Sequence, residues 1–323
     1  MKQRDMMWTF MIKFGSNMWG KKIDERSKYY LECDYHDTMY TDKKTFQDVI
    51  DFLPQCGINT VMLDMGEGMK FDSHPELAIP GSWEKAELKE ELQRMREMGL
   101  TPLPKLNFSA GHNAWLQQWG NMIGTDAYDQ TCQELVEEMI EVFDTPEFFH
   151  LGLDEELYGE VTIPERGIQI VRGAHRFVED AKKLFEICRN KGVRPWIWME
   201  AGGLKAFGGE ESFRANVPKD VLISNWYYYQ FELPETSKYR KATIELYKKL
   251  GEWGYEQLPC CSTWDNSSNI HQTMEYCKQE VAPESIVGYM SAPWIHTIPS
   301  NYYGLLHGAW KLACAKKDYY PED

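Results

Sequence analysis

Eight short apolar runs, each bounded by turn residues, alternate along the chain with stretches of helical period, and this alternation restricts the fold more than any other feature. The runs are residues 8–14, 60–65, 101–108, 148–153, 193–199, 221–226, 256–263 and 286–292. Strands that alternate with helices in this way pair in parallel, each helix carrying the chain back across the sheet. The intervening helices show their buried faces directly: Leu88, Leu92 and Met95 share one side, as do Leu135, Met139 and Phe143, and as do Phe177, Ala181, Leu184 and Cys188. Gly57, Gly99, Gly192 and Gly254 stand where a helix should stop before the next strand. An open doubly wound sheet would more often carry a glycine-rich phosphate loop after its first strand, and neither GxGxxG nor a Walker sequence occurs. The expected fold is therefore α/β, a single (β/α)8 TIM barrel over residues 1–323, with a polar insertion at about residues 20–40. Gly202, Gly203, Gly208 and Gly209 leave room for only a short helix between the fifth and sixth strands.

Charge and aromatic content then narrow the partners. A net charge of −15 repels phosphate backbones and anionic lipid surfaces, so neither nucleic acid nor a membrane is an expected partner. No run approaches the roughly 20 apolar residues of a membrane span. The N-terminal MKQRDMMWTFMIKFG lacks the apolar core and small-residue cleavage site of a secretory leader, and a cytoplasmic location is the expectation. The eight cysteines form no CxxC pair and are expected to be reduced and mostly buried. Twelve Trp and eighteen Tyr exceed what packing requires, and flat rings suit stacking on sugars.

In a barrel of this kind the reactive groups sit at the C-terminal ends of the strands. Asp64 and Glu67 fall there on strand two, Asn107 and His112 after strand three, and Asp154, Glu155 and Glu156 after strand four. Trp198 and Glu200 follow on strand five, Trp226, Tyr227 and Tyr228 on strand six, Trp264 and Asp265 on strand seven, Trp294 and His296 on strand eight. The segment FHLGLDEE is the most informative, because it delivers His150, Asp154 and Glu155 where a buried strand reaches the mouth. An Asp-Glu pair is ordinarily two solvated charges at a helix start. After an apolar strand, the mutual repulsion of the two carboxylates predicts that one keeps its proton and serves as a general acid, the group a glycosidic oxygen needs in order to leave. Trp198, Trp226, Trp264 and Trp294 end four consecutive strands and are expected to form a wall of rings around a sugar, whereas Trp8, Trp115, Trp196 and Trp310 are assigned to packing. His112, His150, His296 and Asp64 lack the spacing of a metal site, with no HExxH and no HxH on the first strand, so no metal or cofactor is expected.

These segments, in their order along the chain, resemble the catalytic barrel of glycoside hydrolase family 20, the β-N-acetylhexosaminidases. FHLGLDEE is similar to that family's His-x-Gly-Gly-Asp-Glu signature, with Leu153 in place of the second glycine. LPKLNFSAGHNAWL resembles its Pro-Glu-Ile-Asp-x-Pro-Gly-His segment, which matches Gly111 and His112 to the Gly-His pair. HPELAIPGSWEKAELKEELQRMREMGL resembles the stretch between its second and third strands, RPWIWMEAGG its Trp-x-Glu, STWDN its Tyr-Leu-Asp, and VGYMSAPW its last strand with the closing Trp.

The resemblance implies a retaining hydrolase of terminal β-linked 2-acetamido sugars in which the substrate's own acetamido oxygen attacks the anomeric carbon. Asp154 would orient and stabilise the acetamido group, and Glu155 would protonate the leaving oxygen and then activate water. Asp64, His112, His150, Trp198, Glu200, Trp226, Tyr228, Trp264, Asp265, Trp294 and His296 would hold the sugar. The departures all touch sugar recognition: IKFGSNMW offers Lys13 and no arginine on the first strand, Thr263 stands at the strand-seven tyrosine, His296 at an acidic position, and Asn107 at an aspartate. Three alternatives stay open at this point: a glycan-binding barrel with lost or altered activity, a metal-assisted hydrolase, and a two-carboxylate glycosidase that pairs Glu155 with Glu200 or Asp265 and acts on sugars lacking the 2-acetamido group.

Overall fold

The computed structural model describes residues 6–18, 35–156, 170–231 and 238–321. Eight parallel strands form one sheet: β1 (Met7–Lys13), β2 (Thr60–Asp64), β3 (Thr101–Lys105), β4 (Phe148–His150), β5 (Arg194–Met199), β6 (Leu222–Asn225), β7 (Cys260–Cys261) and β8 (Gly288–Ser291). Their order, β6-β5-β4-β3-β2-β1-β8-β7, is the sequential order of a ring opened between β6 and β7. Backbone bonds close that gap, Ile223 N donating to Glu256 O at 3.1 Å and Leu258 N to Ile223 O at 2.9 Å. The fold is the expected (β/α)8 barrel.

All eight runs contain a strand, and several strands are shorter than their run. β4 covers three residues of residues 148–153 and β7 two of residues 256–263. A buried apolar run says that a segment is inside; only pairing with its neighbours decides where the ladder ends. The helices are α1 (Lys43–Phe52), α2 (Lys85–Glu97), α3 (Asp126–Val142), α4 (Ala174–Asn190), α5 (Ala201–Ala206), α6 (Glu210–Asn216), α7 (Lys238–Glu252), α8 (Asn269–Glu280) and α9 (Tyr302–Tyr319). The glycine-rich interval after β5 thus holds two short helices, where one was expected. The predicted faces of α2, α3 and α4 are buried, and the four helix-stopping glycines all take positive φ, as a left-handed helix end requires.

Six of the seven described cysteines are buried and none is in a disulfide; Cys33 lies outside the described residues, as does most of the 20–40 insertion. Trp8, Trp115 and Trp196 are core residues, but Trp310 is 54% exposed on α9, which corrects its assignment to packing. Among the described residues no helix is long and apolar enough to cross a membrane.

One buried charge cluster joins the β4 end to the outer helices. Arg172 Nε lies 2.8 Å from Glu156 Oε1 and its Nη1 3.3 Å from Asp180 Oδ2 on α4, and all three residues are buried. Glu156 Oε2 also accepts from Ala110 N at 2.7 Å, and Arg172 Nη2 donates to Phe108 O at 2.8 Å, so the loops after β3 and β4 are fastened to one another beside the mouth. Burial disfavours the guanidinium charge, but Glu156 and Asp180 outweigh it and hold Arg172 firmly protonated. Arg172→Met would leave Glu156 buried without its cation, while Asp180 keeps Arg176 Nη2 at 2.8 Å, and we expect it to lower the unfolding free energy by about 3–5 kcal/mol in urea titration. Lys248→Ala, which removes the solvent-exposed pair with Glu280, should leave the unfolding midpoint essentially unchanged. Equal effects of the two substitutions would dismiss Arg172 as the fastener.

Candidate active site

Residues 151–155 continue from β4 without strand geometry and with three left-handed backbones in four residues: Gly152 (φ 73°), Leu153 (φ 68°) and Glu155 (φ 51°). Such backbone costs a non-glycine residue about 1–2 kcal/mol and persists only where the surroundings impose it. Position 152 admits only glycine, since a Cβ there would lie 2.0 Å from Asn107 Oδ1. This close passage brings the β4 segment onto Asn107. Asn107 Nδ2 then donates to Asp154 Oδ1 at 2.8 Å, while its Oδ1 accepts from Ser109 N at 3.1 Å.

His112 stands between the two carboxylates. Its Nδ1 lies 3.3 Å from Asp154 Oδ1 and its Nε2 3.0 Å from Glu155 Oε2. Asp154 and His112 are buried, and Glu155 keeps a third of its side chain open to solvent. Burial works against charge on both buried partners, but each stabilises the other. His112 is pushed up to about 10 by Asp154 first and Glu155 next, against the opposing effect of burial. Asp154 is held well below the usual carboxylate range by His112, Lys105 and the Asn107 hydrogen bond, again against burial. The expectation that repulsion between adjacent carboxylates sets their protonation is thereby corrected: His112 separates them, and Asp154 is pinned as the anion.

Lys105 ends β3 fully buried, its Nζ 2.7 Å from Asp64 Oδ1 and 5.8 Å from the Trp294 ring centre. Asp64 therefore pairs with Lys105. His150 is fully enclosed between Trp196 and Trp198, at ring separations of 4.8 and 4.3 Å, and its Nδ1 accepts from Gly152 N. Burial first, then Lys105, keeps it neutral.

Three of the four expected wall tryptophans belong to one ring cluster. Trp198 lies 5.8 Å from Trp294, Tyr228 stacks on Trp226 at 5.1 Å and 26°, and Tyr228 and Trp294 are 6.4 Å apart. Trp264 is 40% exposed and its ring meets Tyr229 at 6.3 Å, so the wall is made of three indoles and a phenol. Asp265 is exposed beside Asn266. Glu200 is the N-cap of α5, its Oε2 accepting from Gly202 N and the Tyr239 hydroxyl, while its buried Oε1 has no partner among the described residues. Burial pushes it up to about 7, with Glu155 adding to the shift.

His296 is buried against His36 (5.1 Å) and Tyr40 (4.9 Å), both edge-on, at the last described residues of the insertion. Burial, Lys13 and His36 take it down to about 2, so it is a neutral imidazole. Glu67 braces the loop after β1, its Oε1 accepting from Ser16 N at 2.8 Å and Asn17 N at 3.0 Å, and burial pushes it up to about 7. Among the described residues, those that could meet a cation are His112, Asp154 and Glu155, whose ligand atoms lie within 4.8 Å of one another. Of the four residues considered for a metal from sequence, only His112 is in this group; His150, His296 and Asp64 are not.

Sequence reasoning passed over Lys105, Arg172 and Tyr239. Lys105 had a signal, a lone cation ending an apolar strand between Leu103 and Leu106. Tyr239 had none, since it reaches Glu200 only by the packing of α7.

No protein-family model matches the sequence, and no curated protein does. The fold has many solved counterparts. The chain is similar to a β-N-acetylhexosaminidase of Bacteroides fragilis, with 13% identity, TM-score 0.64, 95% of this chain covered and 65% of that one. It is similar also to a Streptomyces plicatus β-hexosaminidase mutant in complex with N-acetylglucosamine, with 13% identity, TM-score 0.63, and 98% and 68% covered. Dispersin B superposes over nearly its whole length, with 12% identity, TM-score 0.59, and 98% and 99% covered. The chain thus has the barrel of the glycoside hydrolase family 20 enzymes at low identity, and it spans about two thirds of the Bacteroides fragilis chain.

The coupled pair gives a pH dependence with a definite sign. His112 is raised, so its contribution to stability is complete below its ordinary value near 6.5 and is lost as pH climbs through about 10. Asp154 is lowered, so its contribution is complete above about 4 and is lost only as pH falls further. Urea midpoints should fall between pH 7.5 and pH 10, and His112→Asn should remove most of that slope. An unchanged slope in His112→Asn would show that the imidazolium is not stabilised here.

Proposed function

We propose that the protein is a glycoside hydrolase acting on a terminal β-linked 2-acetamido sugar, with Glu155 as acid and base and Asp154 as the fixed anion. The observation that carries this reading is the order Asp154–His112–Glu155, a buried carboxylate and a partly exposed one bridged by a single imidazolium at 3.3 and 3.0 Å. The fold shared with β-N-acetylhexosaminidases supports it.

Each group has one task. Glu155 presents its carboxyl to the glycosidic oxygen as the general acid, and His112 Nε2, 3.0 Å from Oε2, holds that carboxyl in position. In the first step the acetamido oxygen bonds to the anomeric carbon, the bond from that carbon to the leaving oxygen breaks, and the Glu155 proton passes to the leaving group. The resulting cyclic cation is offset by Asp154, which His112, Lys105 and Asn107 keep charged in a setting where burial would otherwise neutralise it. In the second step water attacks the anomeric carbon, the ring opens back to the acetamide, and Glu155 takes the proton that water releases. The three indoles and Tyr228 would enclose the acetyl methyl, with His296 and the Asp64–Lys105 pair near the sugar hydroxyls.

Glu200 favours a second reading. Its unpartnered Oε1 and its coupling to Glu155 suit a two-carboxylate enzyme for sugars without the acetamido group. Paired 4-nitrophenyl β-glycosides, with and without that group, separate the two. The substrate-assisted enzyme turns over only the first, and Glu155→Gln should lower its kcat by about 10²–10⁴-fold while binding persists. Turnover of the sugar lacking the acetamido group, lost in Glu200→Gln, would instead establish Glu200 as nucleophile. Turnover that survives Glu155→Gln unchanged would remove Glu155 from the chemistry.

A further inference from the structure

The outer face of α9 carries two large rings that the fold leaves in solvent. The helix packs on the barrel through Leu305, Ala309, Leu312 and Ala315, which are buried. Opposite them stand Tyr303, 81% exposed, and Trp310, 54% exposed, with the exposed His307 between. Positions i, i+4 and i+7 of a helix lie in one line, and seven residues rise about 10 Å along it. His307 stacks on Trp310 at 6.2 Å and 29°, which steadies the indole on an otherwise open surface. No Asp, Glu, Lys or Arg occurs from position 303 to position 310, although the chain has 50 acidic residues. The file of rings begins beside the mouth, since α9 follows the β8 segment that carries Trp294 and His296.

Size, charge and spacing together select the occupant. Two aromatic side chains cover at most about 500 Å² even when wholly buried. Each partner of a stable dimer buries roughly 800 Å², and a net charge of −15 sets copies of the chain against each other. The file therefore fits a narrow, uncharged ligand. A β-1,4-linked pyranose chain is one: its substituents are equatorial, its ring faces are flat and lined by C–H groups, and a disaccharide unit of the extended chain matches the rise from Tyr303 to Trp310. We propose that Tyr303 and Trp310 form a surface site for a neutral β-1,4-glycan and hold the polymer beside the barrel mouth. Binding rests on the ring file of α9 alone. Its benefit to catalysis, a raised local concentration of chain ends at Glu155, rests on the hydrolase reading above.

The test is depletion of the full chain from solution by chitin and by cellulose, insoluble β-1,4-glycans with and without the 2-acetamido group. Stacking reads the ring faces that both polymers share, so both should retain the wild type. Trp310→Ala and Tyr303→Ala should each weaken retention by about 10-fold, whereas Tyr303→Phe, which keeps the ring, should bind like wild type. Alanine is the best helix former and both positions are exposed, so melting temperatures should stay where they are. Turnover of the 4-nitrophenyl glycoside of N-acetylglucosamine should be the same in all three variants, because a single sugar seated in the mouth does not extend along α9. Failure of cellulose to retain the wild type, or retention that the alanine variants keep, overturns the proposal. So does a wild-type dimer in sedimentation that Trp310→Ala splits, which would give the face to a second copy. If both polymers are held through Trp310 but nothing is hydrolysed, the surface site stands and the hydrolase reading fails.

Discussion

Everything at the barrel mouth depends on one imidazolium held between two carboxylates. A carboxylate taken out of water tends to recover its proton, and a buried histidine tends to lose its own. Asp154 and His112 avoid both outcomes because each is the counter-ion of the other, and Lys105 lies near enough to add a second positive field. The pair needs close placement. The passage at Gly152, the Asn107 amide and the fastening of the β3 and β4 loops by Glu156 and Arg172 provide it. The left-handed backbones of Leu153 and Glu155 are the strain that this placement costs.

Around that charge cluster the mouth is divided by chemistry. The side formed by β2 and β3 is ionic, with Asp64 and Lys105 neutralising one another. The side formed by β5, β6 and β8 is aromatic, with Trp198, Trp226, Tyr228 and Trp294 packed ring against ring. A pyranose has the same division, with polar edges and flatter apolar faces. The third region, at β1 and β8, is built from neutral or self-satisfied groups. His296 is held without charge, and Glu67 is committed to the backbone of the β1 loop. Departures from the resembling family fall both here, at Lys13 and His296, and in the charge cluster, where Asn107 stands at an aspartate and bonds Asp154.

The legibility of the sequence follows the range of the interaction concerned. Strand and helix existence depends on local periodicity, so all eight runs hold a strand and the faces of α2, α3 and α4 are where spacing puts them. Strand ends depend on neighbours, and β4 and β7 stop early for that reason. That Asp154, Glu155 and His112 come to the same end of the barrel was legible because they follow buried strands. Their protonation was not, since it turns on a histidine more than forty positions away in the chain. Trp264 and Trp310 show the same limit from the other side: a tryptophan's composition says nothing of whether its ring meets other rings or solvent.

By itself, then, the sequence determined the barrel and the strands after which the carboxylates fall, because a hydrophobic period is a property of consecutive residues. Tertiary structure alone decided that His112 bridges the two carboxylates, that Lys105 takes Asp64 as its partner, and that Tyr228 replaces Trp264 in the ring cluster. Those are contacts between strands far apart in the chain, and Coulombic and packing energies exist only once closure of the barrel brings the groups within a few ångströms of each other.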